Sequence, residues 1–305
     1  MFNNNIKVKQ LDTEAIIQVG EKREIAKLVE NFYSQNPFPN YEQFETLQDL
    51  LVKLDQNDFT RNFKRLCGFG KKIIEVGSGT SQLSITLASG TNHEVVAFDP
   101  TLESLKLGAA FAKSNKVDNC IFVNGDLFSN PFSKEYFDIV WCSGVLHHTE
   151  SPLKGFEIIS TWLKPNGYIV IGLYNSYGRL RTVFRQKLFK LLGKGIFAKK
   201  FVYLLDPILR NDISENKKLA WFQDQYEHPV ETLHTLDEVL GWFEENNIEF
   251  ISSIPRCDME IMDFDSIFNK QNKADFVTRL ISQIAMLFSQ LGSEGGLFLV
   301  IGKKK

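Results

Sequence analysis

From residue 72 onward the chain alternates between two hydrophobic patterns. Short apolar runs, IIEVG, EVVAFD, CIFVNG, FDIVWCS and GYIVIGLY, have the continuous apolar character of strands buried on both faces. Between them, SQLSITLAS, TLESLKLGAAFAKS and SPLKGFEIISTWLK read as helices. Strands alternating with helices imply crossover connections and a parallel α/β sheet covered on both sides.

Two regions depart from this rhythm. Residues 1–66 read as a mostly helical, aromatic-rich N-terminal cap to a domain spanning 67–305. In EKREIAKLVENFY, Ile25, Leu28, Val29 and Phe32 recur at helical spacing, and the prolines of NPFPNYE break that helix. Residues 175–232 form the second departure, a helical insertion. The helix TLDEVLGWF then starts on a capping box, Thr235 with Glu238 three residues on. The strands IEFISSI and GGLFLVIGKKK close the pattern.

Composition narrows the setting. The 305 residues are 43% hydrophobic and 24% charged, enough to bury a core under a polar surface. A net charge of -2 gives no overall attraction to nucleic acid, so any basic patch must be local. Cys67, Cys120, Cys142 and Cys257 show no metal or disulfide spacing, which fits a reducing compartment. No apolar run reaches the roughly 18 residues of a membrane span, and the first residues lack a signal-peptide pattern. A cytoplasmic location without a transmembrane segment is the expectation.

The stretch KKIIEVGSGTSQLS, residues 71–84, carries the first chemistry. A strand-to-helix turn needs glycine, here Gly77 and Gly79, to bring main-chain N–H groups to a ligand. A dinucleotide fingerprint would require a small residue at its sixth position, which is Gln82. Glu75, two residues before Gly77, suits a ligand carrying an ammonium group instead. Asp99 ends the second strand 20 residues past Gly79, a spacing that NAD would also accept, and Asp126 follows the third. Each acid read alone also fits a turn or a helix cap.

Taken together, EVGSGTS, Asp99, Asp126 and FDIVWCSGVLHHTESP resemble the class I, Rossmann-like S-adenosylmethionine-dependent methyltransferases over roughly residues 70–174. The resemblance implies a doubly wound, mostly parallel seven-stranded sheet ending in an antiparallel C-terminal strand. It also implies S-adenosylmethionine as cofactor. Glu75, Gly77, Ser78 and Gly79 would then wrap its methionine and ribose parts, with Ser81 where a third glycine is usual. Asp99 with Pro100 would hold the ribose hydroxyls, Asp126 with Leu127 the adenine, and Ser143 would lie under the methionine end.

Methyl transfer from a sulfonium needs alignment and exclusion of water, and a base only where the acceptor must lose a proton. His147 and His148 are the local candidates, although a histidine pair there also fits backbone satisfaction and a helix cap. No metal site is expected, because adjacent histidines do not point at one ion.

Candidates for acceptor contact are Tyr33 and Tyr41 in the cap, Tyr174 and Asn175 at a strand exit, and Gln225, Tyr226 and His228 in DQYEHP. Ordinary packing or turn roles for these residues stay open. Residues 176–200 hold eight Lys or Arg and no Asp or Glu. Leu180, Val183, Phe184, Leu188, Leu191 and Leu192 form a stripe there. That segment reads either as a lid with its stripe on the core or as a docking surface for an anionic partner or carrier. The leading expectation is methylation of a small molecule. Its alternatives are an RNA methyltransferase using the basic segment, and a non-catalytic S-adenosylmethionine-binding module. CSGVLHH replaces the Asn/Asp-Pro-Pro-aromatic motif of base-amine methylating members, which disfavours that branch.

Overall fold

The computed structural model describes residues 1–11, 15–34, 46–193, 195–211, 214–288 and 295–305. Its strands are β1 (Val8–Leu11), β2 (Ile16–Val19), β3 (Lys72–Val76), β4 (Glu94–Asp99), β5 (Cys120–Gly125), β6 (Phe137–Ser143), β7 (Leu163–Tyr174), β8 (Ile248–Ile254) and β9 (Leu297–Lys304). Its helices are α1 (Glu24–Ser34), α2 (Leu47–Asp55), α3 (Asp58–Cys67), α4 (Gln82–Ala88), α5 (Leu102–Ser114), α6 (Pro152–Trp162), α7 (Leu180–Leu191), α8 (Ile196–Leu205), α9 (Glu215–Phe222), α10 (Leu236–Glu245) and α11 (Phe276–Ala285). A five-residue π-helical turn, Gln223–Glu227, extends α9.

Among the described residues the sheet has nine strands in the order β1-β2-β5-β4-β3-β6-β7-β9-β8. The pairs from β2 through β7 are parallel, and β9 runs antiparallel between β7 and β8. The seven strands expected from the resemblance are β3–β9. Two more come from the region read as a helical cap, where β1 and β2 form a hairpin and β2 pairs parallel with β5. Four-residue strands are too short to show a period in the sequence. Their partner decides them: a Cβ on Gly125 would meet Val19 at 2.6 Å, so the glycine makes room for the added strand.

The apolar runs serve two cores because side chains alternate across a sheet. Ile74, Val96, Phe98 and Val140 face a core with Phe132, Phe156, Trp162 and Phe243. Ile73, Val95, Ala97 and Ile139 face the other, with Leu50, Phe63, Ile85 and Leu105. The strand order reverses between β3 and β6, and in such sheets the crevice beyond the strands' carboxyl ends is where ligands bind.

The insertion forms a small unit of its own. Phe189, Ala198, Val202, Leu209, Phe222 and Tyr226 make its core. Of the two readings of the α7 stripe, most of it follows the outward one: Leu180, Phe184, Leu191 and Leu192 are exposed, Val183 and Leu188 are half-buried, and Thr182 and Phe189 are buried. No helix among the described residues is long and apolar enough to cross a membrane.

Candidate active site

One cavity of about 490 Å³ opens at this crevice. Its cofactor end is made largely of backbone. After β3 the chain turns through Gly77 at φ 70°, Gly79 at φ 52° and Ser81 at φ 65° before entering α4. Gly77 is required twice over, since a Cβ there would come within 2.2 Å of Val145. Ser81 holds a left-handed conformation that glycine adopts more readily, which explains the residue type usual at that position.

Three strand-end carboxylates converge on this cavity. Glu75 Oε2 accepts from Ser84 N at 2.9 Å and Ser84 Oγ at 2.5 Å. Burial raises its pKa to about 7 against the opposing pull of those two bonds. Asp99 accepts from Gly79 N and Thr101 N, each at 2.7 Å, so it clasps the glycine loop to the start of α5. Burial raises its pKa too. Asp126 accepts from Phe128 N at 2.9 Å and from Arg23 Nε at 2.8 Å. Arg23 also pairs with Glu150 and lies 3.7 Å over the Phe128 ring.

Gly77, Ser78, Gly79, Pro100, Leu127 and Ser143 complete this end, so every residue expected at the cofactor lines the cavity. Three acidic groups around a glycine turn suit a ligand with cationic and hydroxyl groups. Glu75, Asp99 and Asp126 with the glycine loop are the residues that would hold S-adenosylmethionine.

The cap forms one wall. Ile25, Ala26, Val29 and Tyr33 of α1 face the cavity, and Leu28 is exposed. Arg23 and this rotation of the α1 stripe were not foreseen. The charged tetrapeptide EKRE gives no signal that one arginine reaches a strand end more than a hundred residues away.

The opposite end of the cavity, where the acceptor was expected, is made of side chains from distant segments: Tyr33, His148, Tyr174, Trp221, Asp224 and Gln225. Tyr33 Oη donates to Asp224 Oδ1 at 2.7 Å. Burial foremost, and then the Asp224 charge, hold the Tyr33 phenol well above its ordinary pKa. Gln225 Nε2 donates to Tyr174 Oη at 3.0 Å and to Asp224 Oδ2 at 2.8 Å.

Behind them lies Arg179, fully buried. It binds Glu231 through Nε at 3.1 Å and Nη2 at 2.5 Å, and donates through Nη1 to Gln225 Oε1 at 2.6 Å. Its guanidinium sits 3.4 Å over the Tyr174 ring. One cation therefore fixes both Tyr174 and Gln225. Arg179 is one of several arginines in a basic stretch, and nothing local in the sequence marks it as the buried one.

Four expected acceptor or catalytic residues sit elsewhere. His147 is fully buried beneath the Tyr174 ring, 4.0 Å between centroids, and its ring nitrogens have no hydrogen-bond partner among the described residues. Burial holds it well below the ordinary imidazole pKa, so it packs as a neutral ring. Asn175 caps the turn into α7, with Oδ1 accepting from Tyr177 N and Gly178 N. Tyr226 faces the insertion core, donating to Asp206 Oδ2 at 2.6 Å. His228 stands behind His148, 3.7 Å between ring centroids. Tyr41 lies outside the described residues.

A methyltransferase-domain family model matches residues 69–229, more than half of the chain. The chain belongs to this family, and its fold is that of the class I, Rossmann-like S-adenosylmethionine-dependent methyltransferases. Among curated proteins it is 30% identical over 138 residues to the ubiquinone biosynthesis O-methyltransferase of Haemophilus ducreyi, covering 42% of this chain and 56% of that one. It is 22% identical to the tRNA U34 carboxymethyltransferase of Campylobacter curvus, covering 72% of this chain and 76% of that one. The chain spans about half the length of most of the curated relatives it matches. The fold is similar to that of PKMT2 from Rickettsia typhi, solved with AdoHcy, at a TM-score of 0.57 and 13% identity over 81% of this chain and 53% of that one.

Proposed function

We propose that this chain methylates a small-molecule acceptor whose attacking atom gives up a proton to His148. The observation that carries the reading is the bonding of that histidine. His148 lines the cavity, and its Nδ1 lies 2.7 Å from Val230 O. A carbonyl only accepts, so the network assigns the proton to Nδ1 and leaves Nε2 a lone pair. Burial lowers the pKa of this imidazole, which keeps it in the base form at neutral pH.

S-adenosylmethionine, when bound, supplies a methyl group on a positively charged sulfur. The chain's own residues then have three tasks. Tyr33, Tyr174 and Trp221 give an aromatic wall that orients a flat acceptor and excludes water. Asp224 and Gln225 offer polar contacts to it. His148 Nε2 takes the proton of a hydroxyl or similar group. The quinone-pathway names of relatives such as the H. ducreyi enzyme support a small acceptor of this kind.

The test is calorimetry followed by turnover. S-adenosylmethionine and S-adenosylhomocysteine should bind while NADH does not; binding of NADH alone would end the reading. On a panel of hydroxylated aromatic and quinol acceptors, His148→Gln should lower kcat by about 10²–10⁴ with cofactor Kd unchanged. An unchanged kcat would remove the base.

The C. curvus relative, a tRNA U34 carboxymethyltransferase, gives an RNA acceptor a specific claim as a second reading. Against it, Arg179 is consumed by Glu231 and Arg185 by Tyr226 and Asp206, so the basic segment presents less charge outward than its sequence suggests. RNA binding with a steep salt dependence would favour it. A non-catalytic binding module would bind the cofactor and turn over no acceptor, and the cofactor motif carries no lesion that supports it.

A further inference from the structure

The insertion presents an outer face that the cavity does not use. On α7, Leu180, Phe184 and Leu191 fall on one helical stripe, and all are exposed. On α8, Phe197, Phe201 and Leu204 do the same. Near the end of α7 and the start of α8, Leu191 is 82% exposed, Ile196 73% and Phe197 88%. Such exposure is not spare core, because the hairpin already has one on its inner side.

The same hairpin carries exposed positive charge. Arg181, Lys187, Lys190 and Lys200 are exposed and take part in no ion pair among the described residues. They stand on a protein with a net charge of -2, so the cationic character is local to this hairpin. The hairpin is also wired to the acceptor end. Gln186 Nε2 donates to Gln225 O at 2.8 Å, and Arg185 Nε to Tyr226 Oη at 2.9 Å, so the turn that lines the cavity rests on α7.

We infer that the outer face of the α7–α8 hairpin docks on an anionic lipid surface, setting the acceptor end of the cavity beside the bilayer. Large aliphatic and aromatic side chains enter the headgroup–acyl boundary, and the lysines and arginine meet lipid phosphates. An RNA would satisfy the cations but leave Leu191, Ile196 and Phe197 against a polyanion. A bilayer interface satisfies both sets. The inference deepens the small-molecule reading, on which it rests for the acceptor class: acceptors dissolved in lipid.

The experiment is flotation of the full chain with vesicles. Mixed phosphatidylcholine–phosphatidylglycerol vesicles should carry the protein upward, and pure phosphatidylcholine should carry much less. Leu191→Glu with Phe197→Glu should lower the partition by about tenfold or more. Lys187→Glu with Lys190→Glu should lower it chiefly on the anionic vesicles and at low salt. These positions are exposed, so melting temperature and cofactor binding serve as folding controls and should not move.

No partition onto anionic vesicles, or a partition untouched by the apolar pair, overturns the inference. RNA retention in place of vesicle binding, or a dimer that the apolar pair dissolves, would overturn it in favour of those occupants. The assay involves no turnover, so its failure leaves the acceptor reading standing, and failure of every acceptor leaves the docking result standing.

Discussion

The two ends of the cavity are built by different means. The cofactor end comes from the ends of β3, β4, β5 and β6 and the turns after the first three, so every group lies within a few residues of a strand end. The acceptor end draws on Tyr33, His148, Tyr174 and Gln225, which no local pattern joins. Backbone and short acids hold the first. A buried cation, Arg179, holds the second. A site built on strand ends tolerates changes elsewhere in the chain, whereas a site hung on one ion pair depends on that pair.

Three perturbations, in falling order of effect, can break or sharpen this contrast. Arg179→Met leaves Glu231, only 13% exposed, without its partner, and should cost about 3–5 kcal/mol in a denaturant melt. Adding Glu231→Leu should recover most of that loss, because the unpaired charge is the main penalty. A single variant within about 1 kcal/mol of the parent would show that the acceptor end does not hang on this cation. Arg179→Lys keeps charge but loses the fork, and should raise acceptor KM while leaving cofactor Kd alone.

Asp99→Asn reverses the pattern. It removes a charged acceptor from the Gly79 and Thr101 N–H groups and, on the proposed reading, from the cofactor. Cofactor affinity should fall by about 1.5–3 kcal/mol, roughly ten- to a hundredfold by calorimetry, with acceptor KM at saturating cofactor unchanged. Equal losses at both ends would mean that they are one coupled unit.

The smallest effect is a pH dependence. Glu75 has its pKa raised from 4.5 to about 7 in the folded, ligand-free chain, with burial as the largest cause. A raised carboxyl contributes stability that is fully present below the unfolded value and is lost as pH rises through about 7. A cationic ligand favours the carboxylate, so its binding releases this proton at lower pH. Cofactor affinity should weaken by up to about tenfold per pH unit below that value. Glu75→Gln should flatten the profile, and a profile already flat in the parent would place the ligand's charge away from Glu75.

Much of this could be read before the structure. Strand-and-helix alternation set the sheet, and Glu75, Gly77, Asp99 and Asp126 stood at strand ends where the reading put them. The misses share one cause. His147 and His148 are neighbours in sequence, yet one is core and the other lines the cavity. The α7 stripe is helical in period, but period cannot say which side faces protein. The β1–β2 hairpin has too few residues to declare itself without β5.

The sequence by itself determined the sheet, the glycine loop and the carboxylates, because each depends on contacts within one strand–turn–helix unit. The tertiary structure alone decided the acceptor wall, the inward Arg179 and the outward stripe of α7. Those depend on which distant surfaces meet, and burial there is a property of the assembled chain rather than of any window along it.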